Sequence, residues 1–229
     1  MEKRELFQFP AWTNKILTLL GGVGTIAVIY IGLIVNYGAS PKTINAGYAP
    51  LQEIPFSHKL HAGELKLDCR YCHNTVEKAA HAAIPPTGTC LNCHTGADAQ
   101  GNVAKASVRP DSSKLEPLHE SAKTGLPVEW NRVHDLPDYV YFNHSAHVMG
   151  GVSCVSCHGR VDQMDVVTQV APLSMSWCLD CHRNPTPNIR PLDKVTDLAW
   201  TTDDPLAVGE QVQKENDIHP DTNCSTCHR

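Results

Sequence analysis

Aromatic side chains are scarce. The 229 residues include four Phe, four Trp and six Tyr, 6% of the chain, beside 15 Gly and 16 Pro. That composition excludes a large core made of side chains alone, so something other than Leu and Phe must organise the fold. Isolated cysteine is missing too: all ten cysteines fall inside one recurring pattern. There is no excess of positive charge, with 19 Lys and Arg against 24 Asp and Glu and a net charge of −5, which gives no basis for a nucleic-acid partner. No phosphate loop, nucleophile elbow or paired-carboxylate motif occurs, so no separate catalytic constellation is expected.

What is present is Cys-x-x-Cys-His, five times. The pairs are Cys69 and Cys72 before His73, Cys90 and Cys93 before His94, Cys154 and Cys157 before His158, Cys178 and Cys181 before His182, and Cys224 and Cys227 before His228. This spacing is the attachment signature of haem c. The two thiols add across the porphyrin vinyl groups, and the neighbouring imidazole takes the proximal position on iron. Other readings fit poorly. Zinc sites pair two half-motifs, which an odd number of copies does not satisfy. Redox dithiols do not require the histidine, and a disulfide framework would not repeat one spacing so regularly. Five covalent haems c are therefore expected, with His73, His94, His158, His182 and His228 as proximal ligands.

Outside the apolar N-terminal run this leaves under about 40 residues per haem, so the porphyrin plates substitute for a side-chain core and the thioethers act as staples. The expected fold class is mainly irregular with short α-helices, organised around five haems, plus one N-terminal transmembrane helix.

That helix is read from Ile16 to Val35, a run without a charged residue and long enough to span a bilayer. Lys3, Arg4 and Lys15 precede it, which predicts a cytoplasmic N-terminus and an extracytoplasmic haem region on the inner membrane. A cleaved signal peptide is the competing reading, but its apolar region runs about 7–15 residues, shorter than this one. Gly21, Gly22 and Gly24 suit close packing against other membrane helices.

The chain also repeats itself. Phe56-Ser57-His58-Lys59-Leu60-His61 precedes the first haem motif and Phe142-Asn143-His144-Ser145-Ala146-His147 precedes the third. Both read Phe-x-His-x-x-His, and Val76-Glu77 and Val161-Asp162 follow the first motif of each copy. The predicted organisation is a cytoplasmic N-terminus (1–15), an anchor (16–37), a juxtamembrane linker (38–53), dihaem module 1 (54–94), a linker (95–139), dihaem module 2 (140–182) and a C-terminal segment (183–229) carrying the fifth haem. Within the linker, Ser113 and Glu116 have capping-box spacing, Leu115, Leu118 and Ala122 share a face, and Gly125 can end a short helix.

Sixth ligands separate an electron carrier from a catalyst, because an open axial position binds substrate. Thirteen histidines less five proximal ones leave eight: His58, His61, His81, His119, His134, His144, His147 and His219. His58, His61, His144 and His147 are the first candidates, since a spacing of three on a helix lets two imidazoles reach two different irons. His134, in an apolar-aromatic stretch beside module 2, is the candidate for the fifth distal position. His81 and Met164 are weaker alternatives, followed by Met175, while His119 and His219 read as packed or surface residues. Five irons and at least five ligands point to six-coordinate electron transfer rather than catalysis.

The Phe-x-His-x-x-His element followed by closely spaced haem motifs resembles the small multihaem cytochromes of the c3/c7 type. FSHKLH, CRYCH, CLNCH, WNRVHDLPDYVYFNHSAHV, CVSCH, PLSMSWCLDCHRNP and CSTCHR, with the anchor before them, together resemble the pentahaem cytochrome c subunit of alternative complex III. The resemblance spans nearly the whole chain. It implies an electron-transfer subunit of a quinol-oxidising respiratory or photosynthetic membrane complex. The implied partners are an iron–sulfur and molybdopterin-type subunit, quinol-binding integral membrane subunits, and a monohaem cytochrome c subunit or soluble periplasmic acceptor. The alternatives are the wire of a polysulfide- or tetrathionate-type reductase, a catalytic multihaem reductase, and a free-standing anchored electron store.

Overall fold

Thr13–Leu33 forms α1, which continues as a π-helical turn over Ile34–Gly38. In this computed structural model, which describes residues 8–38, 45–98 and 100–228, the chain divides into two units, Met1–Asn45 and Ala46–Arg229. α1 buries none of its residues, and Leu17, Leu20, Ile26 and Val28 are all exposed. The stretch Thr13–Gly38 has a window of mean hydropathy 2.2 and is long and apolar enough to cross a membrane. The helix starts before the uncharged run and takes in Lys15. Lys3 and Arg4, on which the orientation argument leans, lie outside the described residues.

The second unit has no strand among its described residues, only the isolated bridges Val140–His228 and Val152–Ile189. Its helices are short: α2 (Cys69–Cys72), α3 (Thr87–Leu91), α4 (Glu116–Thr124), α5 (His144–Met149), α6 (Cys154–His158), α7 (Met175–Arg183), α8 (Pro205–Glu215) and α9 (Cys224–Cys227). Helices this short need help at their first turn, because the leading amides have no partner inside the helix. Side chains supply it: Asp68 accepts from Arg70 N, Asn143 from Ser145 N and Ala146 N, Ser153 from Val155 N, Ser174 from Trp177 N, and Asp204 from Ala207 N. Four of these five caps sit at the start of a haem-motif helix or of the Phe-x-His-x-x-His helix.

Among the described residues the buried apolar core is Ile54, Leu118, Ala171, Ile189, Val195, Leu198 and Val212. That is very little for a unit of this length, as the composition implied. Two of these, Val212 on α8 and Ile189 after the turn at Thr186–Asn188, lie where that helix crosses the turn. Gly209 allows that crossing, since a Cβ there would run into the Thr186 carbonyl.

The linker helix exists, with differences from expectation. Gly125 ends α4 in the left-handed conformation, φ 74°. The start is a 3-10 turn over Ser113–Leu115 with no side-chain cap, in place of a capping box. The buried face is Leu118 and Ser121, while Ala122 is exposed. Ser121 turns inward because its hydroxyl meets Thr87 Oγ1 at 2.7 Å and donates to the Leu126 carbonyl at 2.6 Å.

The two repeat copies dock reciprocally. The amide of Lys59, third residue after Phe56, donates to the Met164 carbonyl at 3.0 Å. The amide of Ser145, third residue after Phe142, donates to the Ala79 carbonyl at 3.2 Å. Met164 and Ala79 are each the seventh residue after the second cysteine of their copy's first haem motif. Equivalent donors therefore meet equivalent acceptors, as a pseudo-two-fold relationship between copies requires. Ser57 Oγ to Asp165 (2.7 Å) and His144 N to Ala80 (3.0 Å) reinforce the two contacts. Gly63 sits directly on the Asp162 carbonyl, where any side chain would collide.

Candidate functional site

Each Phe-x-His-x-x-His element is built the same way around its phenylalanine. The Phe56 ring stacks on His61 (4.3 Å, 23°) and meets His58 edge-on (4.9 Å, 85°). Phe142 does the same to His147 (4.5 Å, 27°) and His144 (4.8 Å, 90°). One aromatic ring thus sets the planes of two imidazoles. The backbones differ: the first copy uses a π-helical turn over Lys59–Glu64, the second the α-helix α5.

The imidazoles then meet the haem motifs. His61 faces His94 with ring centroids 6.2 Å apart, His144 faces His158 at 6.4 Å, and His147 faces His182 at 6.2 Å. Two imidazoles sharing one metal, with metal–nitrogen bonds of about 2 Å and a ring radius of about 1 Å, place their centroids about 6 Å apart. The three pairs fit an iron between them. His58 lies close enough to His73 for their charges to interact. The first histidine of each element therefore attends the first motif of its copy, and the second attends the second.

Nitrogen roles agree with this. Nδ1 donates to a backbone carbonyl in His61 (Ser57), His73 (Ala83), His94 (Val108), His144 (Ala80), His147 (Asn143) and His182 (Asp221), at 2.7 to 2.9 Å. A carbonyl on Nδ1 fixes the tautomer and leaves the Nε2 lone pair for a metal. Burial pushes the His58 pKa down to about 4, helped by His73 and His61, and that of His158 down to about 3, helped by His134 and His144. Burial also lowers the pKa of His134 and His147. Ligation requires the neutral ring that these environments favour. His58 Nδ1 and His134 Nε2 are buried polar atoms with no hydrogen-bond partner. A cavity of about 570 Å³ opens beside Cys90, lined by Pro86, Leu118, Leu126 and Trp130 among others. Apolar walls next to an attachment cysteine suit a porphyrin plate.

The remaining candidates separate. His134 packs edge-on against His158 at 4.4 Å, beside the third motif. At the fifth motif the ring facing His228 is that of Tyr139, 5.9 Å away and nearly parallel at 28°, a residue the sequence reading did not single out. His81 is exposed, and its carbonyl accepts from Thr75. The Met164 carbonyl serves the copy-to-copy junction, and Met175 is 59% exposed. His119 Nε2 contacts the His94 carbonyl, and exposed His219 pairs with Asp217. The acidic residue after the first motif of each copy has an ion-pair role: Glu77 with Arg70 (3.1 Å) and Asp162 with Arg160 (2.7 Å). Sequence reasoning also missed the carbonyls of Ala80, Ala83, Val108 and Asp221, which no residue-type signal could mark, because every residue carries a carbonyl.

Comparison with known proteins agrees with this chemistry. The model of the family described as cytochrome c7 and related cytochrome c matches residues 54–112 and 140–229. The chain is 31% identical over 158 residues to the multiheme cytochrome c subunit of menaquinone reductase from Nitratidesulfovibrio vulgaris, covering 69% of each chain.

Proposed function

Since the chain belongs to the cytochrome c7 and related cytochrome c family, a multihaem electron carrier with haem c as its cofactor, we propose that it holds five haems c and serves as the electron-transfer subunit of a quinone-linked membrane complex. Haem c, when bound, supplies a one-electron iron couple. The chain's own residues supply the rest. Ten cysteines tether the groups at five motifs, and His73, His94, His158, His182 and His228 give the proximal nitrogens. His58, His61, His144 and His147 give distal nitrogens to the first four. Backbone carbonyls on Nδ1 hold six of these rings, those of His61, His73, His94, His144, His147 and His182, in one tautomer. The observation that carries the reading is the spacing of His61–His94, His144–His158 and His147–His182, 6.2 to 6.4 Å. Sites closed on both faces by imidazole pass electrons and leave no position for a substrate; with the first four motifs closed in this way, the chain works as a carrier and catalysis belongs to other subunits.

Helix α1 anchors the chain, with the N-terminus cytoplasmic and the haem unit outside, in keeping with Lys15 at its start and with Lys3 and Arg4 before it. The strings that resemble the alternative complex III subunit favour a quinol-oxidising assembly with an iron–sulfur and molybdopterin-type subunit, quinol-binding membrane subunits and a monohaem cytochrome. The name of the Nitratidesulfovibrio relative favours the reverse, quinone reduction fed from outside. Gentle solubilisation followed by two assays decides between them: menaquinol with an oxidised cytochrome, and a reduced cytochrome with menaquinone. A redox titration accompanies them, with potentials above the quinone pool expected for quinol oxidation. A cytochrome that purifies alone and is active in neither assay would sink the complex reading.

A further inference from the structure

The same contacts order the five sites in space. The pseudo-two-fold between copies puts equivalent parts at its centre, and the parts found there are the first and third motifs. Cys69 and Cys154, equivalent first cysteines, are close enough that each thiol perturbs the other. One segment, Val195–Thr196, brackets both. The Val195 carbonyl accepts from Cys154 N (3.3 Å) and Ser153 Oγ (3.0 Å). The Thr196 carbonyl meets Cys69 Sγ (3.9 Å), and Thr196 Oγ1 donates to Asp68 (3.0 Å). The second motif adjoins the first, where Asn92 Nδ2 donates to the Tyr71 hydroxyl at 2.9 Å. The fifth adjoins the fourth: the Asp221 carbonyl, three residues before Cys224, holds His182 Nδ1 at 2.7 Å, and the Cys227 carbonyl accepts from Tyr141 N at 2.8 Å.

We infer that the haem sites form one unbranched row in the spatial order second, first, third, fourth, fifth, with the second and fifth motifs as its two ends. Sequence order is thereby broken at the start of the chain, where the second motif lies outside the first. Exposure is an independent mark of the ends. Of the ten cysteines only Cys93, in the second motif, and Cys224, in the fifth, are exposed. Electron-transfer partners therefore meet the chain at these two motifs, and the first, third and fourth are internal relays.

This rests on the five-haem reading, and one experiment separates the two. The haem-loaded full chain, in detergent or in its complex, is crystallised and its irons are located by anomalous scattering at the iron edge. The expected map has five peaks, with the first-motif iron neighbouring those of the second and third, and the second- and fifth-motif irons each having a single neighbour. Five irons with the first-motif iron away from the third, or the fifth beside the first or second, overturn the row alone. Fewer than five irons overturn the five-haem reading and the row with it. Neither outcome depends on electron-transfer activity.

Discussion

The imidazole Nδ1 of His144 donates to the carbonyl of Ala80 at 2.9 Å, across 64 residues of sequence. A proposed ligand of the second copy is thus aimed by a loop of the first, which ties the geometry of one copy's site to the other copy. His144→Ala should open the distal position of the third-motif haem, and the sign would be a stronger high-spin absorbance band and binding of carbon monoxide at about one more site per chain than in the unchanged protein. His81→Ala, at an exposed position, should leave the spectrum unchanged. A spectrum indifferent to His144→Ala but altered by His81→Ala would reverse these assignments.

His144→Met keeps a ligand and changes its chemistry. Thioether ligation raises the potential of a haem iron, and axial ligand identity spans about 0.8 V across haem proteins. One midpoint of the five should rise by on the order of 0.1 V, with neighbouring midpoints moving less. Stepwise titration of the absorbance checks this, and five unmoved midpoints would remove His144 from the axial position.

Gly63 is where the π-helical turn of the first copy touches the Asp162 carbonyl of the second. Its counterpart in the second copy is Met149, 54% exposed, so the need for glycine is one-sided. Gly63→Ala forces backbone against backbone at the junction, and strain of this kind costs about 1–3 kcal/mol. At about 2–4 °C per kcal/mol for a unit of this size, the midpoint of thermal unfolding should fall by several degrees with the haem count unchanged. Met149→Ala should have little effect.

The attachment motifs, the repeat and the apolar helix were legible in the residues themselves, because thiol spacing, imidazole spacing and an uncharged run are all written in side-chain type. The Nδ1 acceptors were not legible, because they are carbonyls. Nor was the docking of Lys59 on Met164, a backbone bond whose partners carry no signature. His134 was read as a fifth distal ligand from its apolar-aromatic stretch beside module 2, and its ring packs against His158, while past the turn at Pro137 it is Tyr139 that faces His228, a residue whose type gave no signal. The capping box at Ser113 failed because a 3-10 turn began the helix first.

Acid should expose the role of Asp68. Hydrogen bonds from Arg70, with a further one from Thr196, hold its carboxyl at about 2, below the ordinary 3.8. A depressed carboxylate stabilises the fold above its unfolded pKa and loses that contribution as pH falls through the folded one. Asp68 is 42% exposed, so water and salt screen much of the ion pair and the contribution is modest. Asp68→Asn should lower the denaturant midpoint slightly at pH 7, and the gap between the two proteins should close on going from about pH 4 to about pH 2. Equal gaps at all three pH values would mean that the side chain acts by packing and not by charge.

The thin core sets the last expectation. Seven apolar side chains among the described residues are buried, while Leu65, Leu67, Ile84, Val166 and Val170 are exposed. A marginal core cannot offset the conformational entropy of ordering so many residues of loop. On the five-haem proposal the plates carry most of the burial, and attachment is expected to come before packing. The full chain made without haem attachment and kept reduced in detergent should keep its apolar helix, lose near-ultraviolet dichroism, and melt without a cooperative transition. A sharp melt in that protein would show that the polypeptide organises itself, and the argument from scarce aromatics would fail.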